Sequence, residues 1–403
     1  WSEWWTRRLT RHFAAMPVRF LLVARVHMAR NRASPDFTRR DILTQEAPVH
    51  LSASRCRSVA AGTAIIALAV AGCSSDNSIT NSVSPLNNFA STTLVSDVSG
   101  QGAVTIDGNV VNPWGIAFGP TGILWVANNG TGTSTLYDAN GSPFSLVPSI
   151  PGTSFLSAGQ PTGIVLNTTS SFGIAGGPAI FLFASLDGGI SAWNQSANDA
   201  RLVVNRAANG SVFTGIAIAT TGTTDRLYAD DFANGQVDMF DGSFNFVGSF
   251  TDPSLPSDYG PFGIKNVNGR LFVTYAKRGA DGNEVKGGGN GFVVIFNADG
   301  TVASRFASNG NLNDPWAIAM APSGFGAFAG DVLIGNFGDG TIAAFDPTTG
   351  AFIDFLRDAN KNVIAIDGLW GVAFGPGSGS TTLYFAAGID DETHGIVGVL
   401  RPQ

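Results

Sequence analysis

The sequence predicts an all-β fold, a six-bladed β-propeller with four antiparallel strands per blade, from three observations. One phrase recurs: Asn112–Gly119 reads NPWGIAFG, Asp314–Ala321 reads DPWAIAMA and Gly368–Gly375 reads GLWGVAFG. Aligned on that phrase, six segments open at Pro113, Pro161, Phe213, Pro261, Pro315 and Leu369, spaced 48, 52, 48, 54 and 54 residues apart. A period of this size marks repeated supersecondary units. The sixth segment ends after three strand-like runs, and a run resembling the missing fourth, STTLVSDV at Ser91–Val98, stands before the first segment.

Within each segment the order of elements is constant. The opening run, such as GIAF after Pro113-Trp114, is the innermost strand. A second apolar run follows (ILWVANN, IFLFASLDG, RLYADDFANG, RLFVTYAKRG, VLIGNFGDG, TLYFAAGID), then a third after a Gly/Asp/Asn turn. Fourth runs close the first five segments: FSLVPSI, ARLVVN, FNFVGSF, VASRFAS and FIDFLRD. Alternation and aromatic or β-branched content mark strands, and DG, NG and TG pairs mark hairpins. Gly115, Gly163, Gly215, Gly263, Ala317 and Gly371 place a small residue wherever six inner strands would crowd together. Pairing of Ser91–Val98 with the last segment would close the ring and remove exposed strand edges.

The region before the propeller divides into three. Residues 1–50 are Arg-rich and carry no repeat; they read as an extended reading frame, with Met16 and Met28 as candidate starts. A twin-arginine signal at Arg39-Arg40 is the alternative, but its apolar region lies far downstream. Residues 51–73 have a signal-peptide layout: Arg55 and Arg57, an apolar stretch from Val59 to Ala71, then Val70-Ala71-Gly72-Cys73. That ending resembles a bacterial lipobox, which implies acylation of Cys73 and a membrane-anchored, extracytoplasmic protein, at the outer membrane or cell surface. Residues 74–91 are Ser/Asn-rich and read as a flexible tether, leaving 92–403 for the propeller.

Charge and cysteine content exclude several functions. Residues 1–73 hold eleven of the 23 basic residues, so the remainder carries 12 basic against 26 acidic residues, a net of −14. Such a body lacks the cations that neutralise phosphate, which excludes nucleic acid as a partner. Cys56 and Cys73 are the only cysteines, and His394 is the only histidine after residue 73. Thiol chemistry and a His/Cys zinc centre are therefore not expected in the body. No G-x-S-x-G elbow, P-loop or dinucleotide fingerprint occurs.

The segments LVSD…NPWGIAFGPTGILWVANNGTGTSTLYDANG, LYADDFANGQVDMFD and LWGVAFGPG…LYFAAG resemble the NHL-like six-bladed propellers. More closely, the body is similar to a family of secreted bacterial propellers, several of which carry PEP-CTERM sorting tails; no such motif ends this chain. The resemblance implies the fold and an extracytoplasmic location, and no activity.

Candidate site residues follow from the rim on which the inner strands begin. Trp114, Phe262, Trp316 and Trp370 form an aromatic set that either stacks on a ligand at the channel mouth or fills gaps between blades. Asn128, Asn129, Asp187, Asp230, Asp231, Lys277, Asn336, Asp339, Asp390, Asp391, Glu392 and His394 form the polar set. Of these, Asn128, Asp230 and Asp231 join the aromatic residues as ligand contacts. Asp230, Asp231, Asp390 and Glu392 are the candidate oxygen ligands for Ca²⁺, which takes six to eight such donors. Gly279–Gly291, GADGNEVKGGGNG, is an enlarged turn that serves as a lid, as a partner contact or as plain surface. The expected function is a monomeric binding scaffold for a small molecule, glycan or protein. The rival is a divalent-metal hydrolase, lactonase or lyase using Asp230, Asp231, Asp390 and His394.

Overall fold

The computed structural model describes residues 86–154, 156–376 and 381–403. The expectations for residues 1–50, for the signal at 51–73 and for Cys73 lie outside them. Six small antiparallel sheets follow one another along the chain as the blades of a propeller. The inner strands are Pro113–Phe118, Pro161–Leu166, Phe213–Thr221, Tyr259–Val267, Pro315–Met320 and Leu369–Phe374, each opening at or next to the recurring phrase. Local chemistry sets the hairpins. Val267 pairs with Arg270 across Asn268-Gly269, whose φ values of 52° and 81° are those of the tight turn an Asn-Gly pair favours.

Ring closure is as the sequence predicts. Phe89–Ser96 pairs antiparallel with the final strand Ile396–Pro402, from Phe89 opposite Pro402 to Ser96 opposite Ile396, with one register shift between Thr93 and Val95. The closing strand begins at Phe89, inside the segment expected to be tether. A short strand, Thr105–Ile106, adds to it in parallel and makes a fifth member of the last blade.

Blade one differs from the four-strand expectation. It has three strands, Pro113–Phe118, Leu124–Asn128 and Thr133–Tyr137. The fourth run, FSLVPSI, still lies along the third strand: Phe144 donates to Leu136, Ser134 donates to Pro148 and Ile150 donates to Gly132. Pro143, Pro148 and Pro151 offer no N–H, so the ladder cannot continue regularly.

The core is a set of layers between neighbouring blades. Trp125, Leu136, Ile164 and Phe183 fill the space between blades one and two, and Val95, Val397, Ile116 and Tyr137 the space between six and one. Strands buried on both faces explain the unbroken apolar runs of the second strands. At the axis the inner strands nearly touch: a Cβ on Gly115 would stand 2.6 Å from the Thr162 carbonyl oxygen, and one on Gly163 2.8 Å from the Ile216 amide. Only a residue without a side chain permits that approach.

Candidate functional site

On the rim where the inner strands begin, Asn112 and Asp314 hold the position before Pro-Trp. Both have left-handed backbones, φ 44° and 46°, which Asn and Asp tolerate better than most residues. The tryptophans that follow meet at the axis. Trp114 stacks on Trp370 with ring centroids 3.4 Å apart, and Phe337 stacks on Trp370 at 3.8 Å. Trp316 meets Trp114 and Trp370 edge-on, and Phe262 lies 5.8 Å from Trp370. The sequence left two readings of this set open. The structure shows the rings converging on one another and buried, Trp316 the most accessible at 8%. They form an aromatic plug in the channel, with Trp370 at its centre.

The plug is tied to the rim by hydrogen bonds. Trp370 Nε1 donates to Asn112 Oδ1 at 3.1 Å, and Asn112 Nδ2 donates to Glu392 Oε2 at 2.7 Å. Glu392 ends a run of three left-handed residues, Asp390, Asp391 and Glu392, with φ of 54°, 52° and 64°. Each such residue costs about 1–2 kcal/mol, and strain of this kind persists only where surrounding contacts enforce it.

The enlarged turn at 279–291 packs onto the same rim. Gly287 donates to Asn313 Oδ1 at 2.7 Å, and Gly289 donates to the Leu312 carbonyl. The turn places Lys286 Nζ 4.2 Å from the Phe337 ring centre, a cation over the aromatic stack. It also brings half-buried Glu284 toward Asp314 and Glu392. Burial raises the Glu284, Asp314 and Glu392 carboxyls; Glu284 pushes the other two further up, while Lys286 holds them down. Asp314 reaches about 7. It is fully buried, and neither of its carboxylate oxygens has a hydrogen-bond donor among the described residues.

Of the other predicted residues, Asp339 lies close enough to push the Asp314 carboxyl further up, and Asp390 and Asp391 lead into Glu392, whereas Asp230, Asp231, Asn128 and His394 do not gather there. Asp230 and Asp231 are successive strand residues, so their side chains leave opposite faces. Asp231 caps a turn, accepting from Val212 N, Asn234 N and Asn234 Nδ2. Asp230 is sealed beside Gly215 with both oxygens lacking donors, and burial raises its carboxyl well above the usual carboxylate range. Asn128 is buried and donates to Thr133 and Thr135 within its own blade. His394 is held by Asp97, just past the closing strand, at 2.8 Å. Among the described residues no three His, Cys, Asp or Glu side chains are arranged to hold a metal ion, so the set Asp230, Asp231, Asp390 and Glu392 does not form a Ca²⁺ cage. The hydrolase set is likewise dispersed between blades three and six.

Glu284, Lys286 and Phe337 were not singled out by the sequence. A signal for Phe337 existed: it directly follows the second strand Val332–Asn336, as Phe232 follows Thr224–Asp231, and Phe232 also packs on the plug residue Phe262 at 5.1 Å.

No established family profile matches the chain. Among solved structures, a streptogramin B lyase aligns with 78% of this chain and 98% of its own, at 12% identity and a TM-score of 0.48. A luciferin-regenerating enzyme aligns with 73% and 92%, at 11% identity and a TM-score of 0.47. At that distance no residue role passes between the chains. Sequence relatives are nearer, and they are viral where the resemblance pointed to bacterial secreted proteins. "Uncharacterized protein R648" of Acanthamoeba polyphaga mimivirus is 37% identical over 326 residues, 76% of this chain and 78% of that protein. "Uncharacterized protein L690" of the same virus is 33% identical over 317 residues, 74% of this chain and 82% of that protein. With most of the propeller shared at that identity, the chain belongs to the protein family that includes mimivirus R648 and L690.

Proposed function

We propose that the protein is a binding scaffold: a propeller held by lipid on Cys73 at an extracytoplasmic membrane face, which offers its plugged rim to an amine-bearing ligand. The observation that carries this reading is the acidic rim around Asp314, a buried carboxyl with no donor on either oxygen among the described residues, beside Glu284 and next to the aromatic stack over which Lys286 lies. Buried polar groups normally have partners. Here three carboxyls, of Glu284, Asp314 and Glu392, share the ammonium of Lys286 as their opposing charge among the described residues. The aromatic face and the surplus of acids suit a second cation, and the net −14 of residues 74–403 favours its approach.

Titration calorimetry with spermidine at low ionic strength tests the rim. Binding is expected to weaken about tenfold or more in Glu284→Gln, since a hydrogen bond to a charged group contributes about 1.5–3 kcal/mol. Absent binding, or equal binding by the variant, ends the rim reading. The anchor is tested separately: Cys73→Ser is expected to move the protein from the membrane to the soluble fraction, and continued membrane retention would refute lipidation at this residue.

A further inference from the structure

Beneath the aromatic plug, the propeller channel opens into a cavity of about 530 Å³ lined by all six inner strands, with Trp316 among its walls. This is the volume range of small-molecule sites, which pair apolar walls with a few placed polar groups. The lining is almost wholly glycine, alanine, valine, isoleucine and larger apolar residues; threonines and Asn266 are its uncharged polar members. Among the described residues that line it one is charged, Lys265.

The repeat makes that lysine stand out. Counting two residues past the crowded Gly or Ala of each inner strand gives Ala117, Val165, Ala217, Lys265, Ala319 and Ala373. Five blades place a small aliphatic residue at this level, and blade four alone places an ammonium on a four-carbon stem. Lys265 remains solvent-accessible through the cavity. It joins none of the ion pairs among the described residues. The apolar walls push its ammonium below the ordinary lysine value. An uncompensated charge in an apolar cavity is costly unless a counter-ion meets it.

We infer that the channel is a second binding site, independent of the acidic rim, for a monocarboxylate with an apolar body: the carboxylate pairs with Lys265, and the body lies along the inner-strand walls. Lys265 is two residues from Gly263, so its level lies about 7 Å from that of the crowded glycines. Apolar residues flank it on both sides, with Ile264 and Trp316 toward the plug and Phe118, Leu166, Met320 and Phe374 farther along the strands. A chain of several carbons fits on either side. The cavity chemistry selects against cations, the opposite preference to that of the rim.

The probe is octanoate, compared with octylamine and 1-octanol of similar shape, by calorimetry and by the intrinsic fluorescence of a protein whose Trp316 faces the cavity. Octanoate is expected to bind one to one, octanol at least tenfold more weakly, and octylamine not measurably. Lys265→Met is expected to lose octanoate binding at least tenfold while melting no lower than the parent, since it removes an unpaired charge from apolar surroundings. Lys265→Arg is expected to retain it within a few-fold, and Glu284→Gln at the rim to leave it unchanged. Failure of octanoate to bind, or equal binding by Lys265→Met and the parent, overturns the proposal. So does equal binding of the three probes, which would indicate partition into an apolar cavity without recognition by the lysine. Spermidine binding at the rim is unaffected by either outcome, so the two readings fail separately.

Discussion

Deleting Phe89–Ser96 is expected to destroy cooperative folding. The segment supplies the outer partner of Ile396–Pro402 over its whole length, and Phe89, Leu94 and Val95 are almost fully buried. Each such side chain contributes about 1.5–3 kcal/mol by burial, so their loss removes on the order of 5–8 kcal/mol. A domain's entire stability is about 5–15 kcal/mol. The last blade would also present a bare strand edge, which templates association. The deleted protein should elute as aggregate and show no sharp thermal transition. Phe89→Ala is the milder companion. Its ring packs on Phe325 at 4.8 Å and Phe328 at 5.9 Å, tying the closing strand to blade five. Truncation of a buried Phe costs about 3–5 kcal/mol, read as a lower urea midpoint at constant slope. A deletion protein that stays monomeric and melts like the parent would show that ring closure contributes nothing.

Asp314→Asn is expected to stabilise the protein at alkaline pH and to leave it nearly unchanged near pH 4. The folded-state value of about 7 lies above the unfolded carboxyl, so between roughly pH 4 and 7 the native state holds the proton more tightly. A raised carboxyl contributes stability that is complete below the unfolded value and is lost as pH rises through the folded one. The loss is about 1.4 kcal/mol per unit, or on the order of 3–4 kcal/mol by pH 8. Asn keeps the shape without the charge. Burial is the first cause; Glu284 and Asp339 add to it and Lys286 opposes it. Asp230 is raised in the same direction, but it is present in both proteins, so the difference between their stability–pH curves isolates Asp314. Curves that run parallel from pH 4 to 8 would show that Asp314 titrates as an ordinary exposed acid.

Much of the architecture was legible because it is written in short-range patterns. Pro113, Pro161, Phe213, Pro315 and Leu369 each begin an inner strand where the repeat puts one. The Asn268-Gly269 turn needs no information beyond its own residues. Closure followed from a count of strands: three at the end and one left over at the start. Blade one departed from the pattern for an equally local reason, since Pro148 interrupts the run that should have formed its fourth strand and Pro143 and Pro151 flank it.

The candidate site was legible only in part. The four aromatic residues do meet, because the repeat places them at equivalent points around an axis, but the repeat is silent on whether they face a ligand or one another. Asp230 and Asp231 looked like a pair and are divided by the strand's alternation. Glu284 and Lys286 sit in a turn outside the repeat, so no internal comparison could place them.

By itself the sequence determined the six-bladed ring, its hairpins, the small residues at its axis and the strand that closes it, because periodic burial and turn chemistry act over a few residues. Only the tertiary structure decided that Asn112 joins Trp370 to Glu392, that Lys286 caps the Phe337–Trp370–Trp114 stack, and that, among the described residues, Asp314 is left without donors and Lys265 is the one charge lining the channel. Those relations join residues as much as 280 positions apart. Their distances depend on how all the blades pack, which no local pattern encodes.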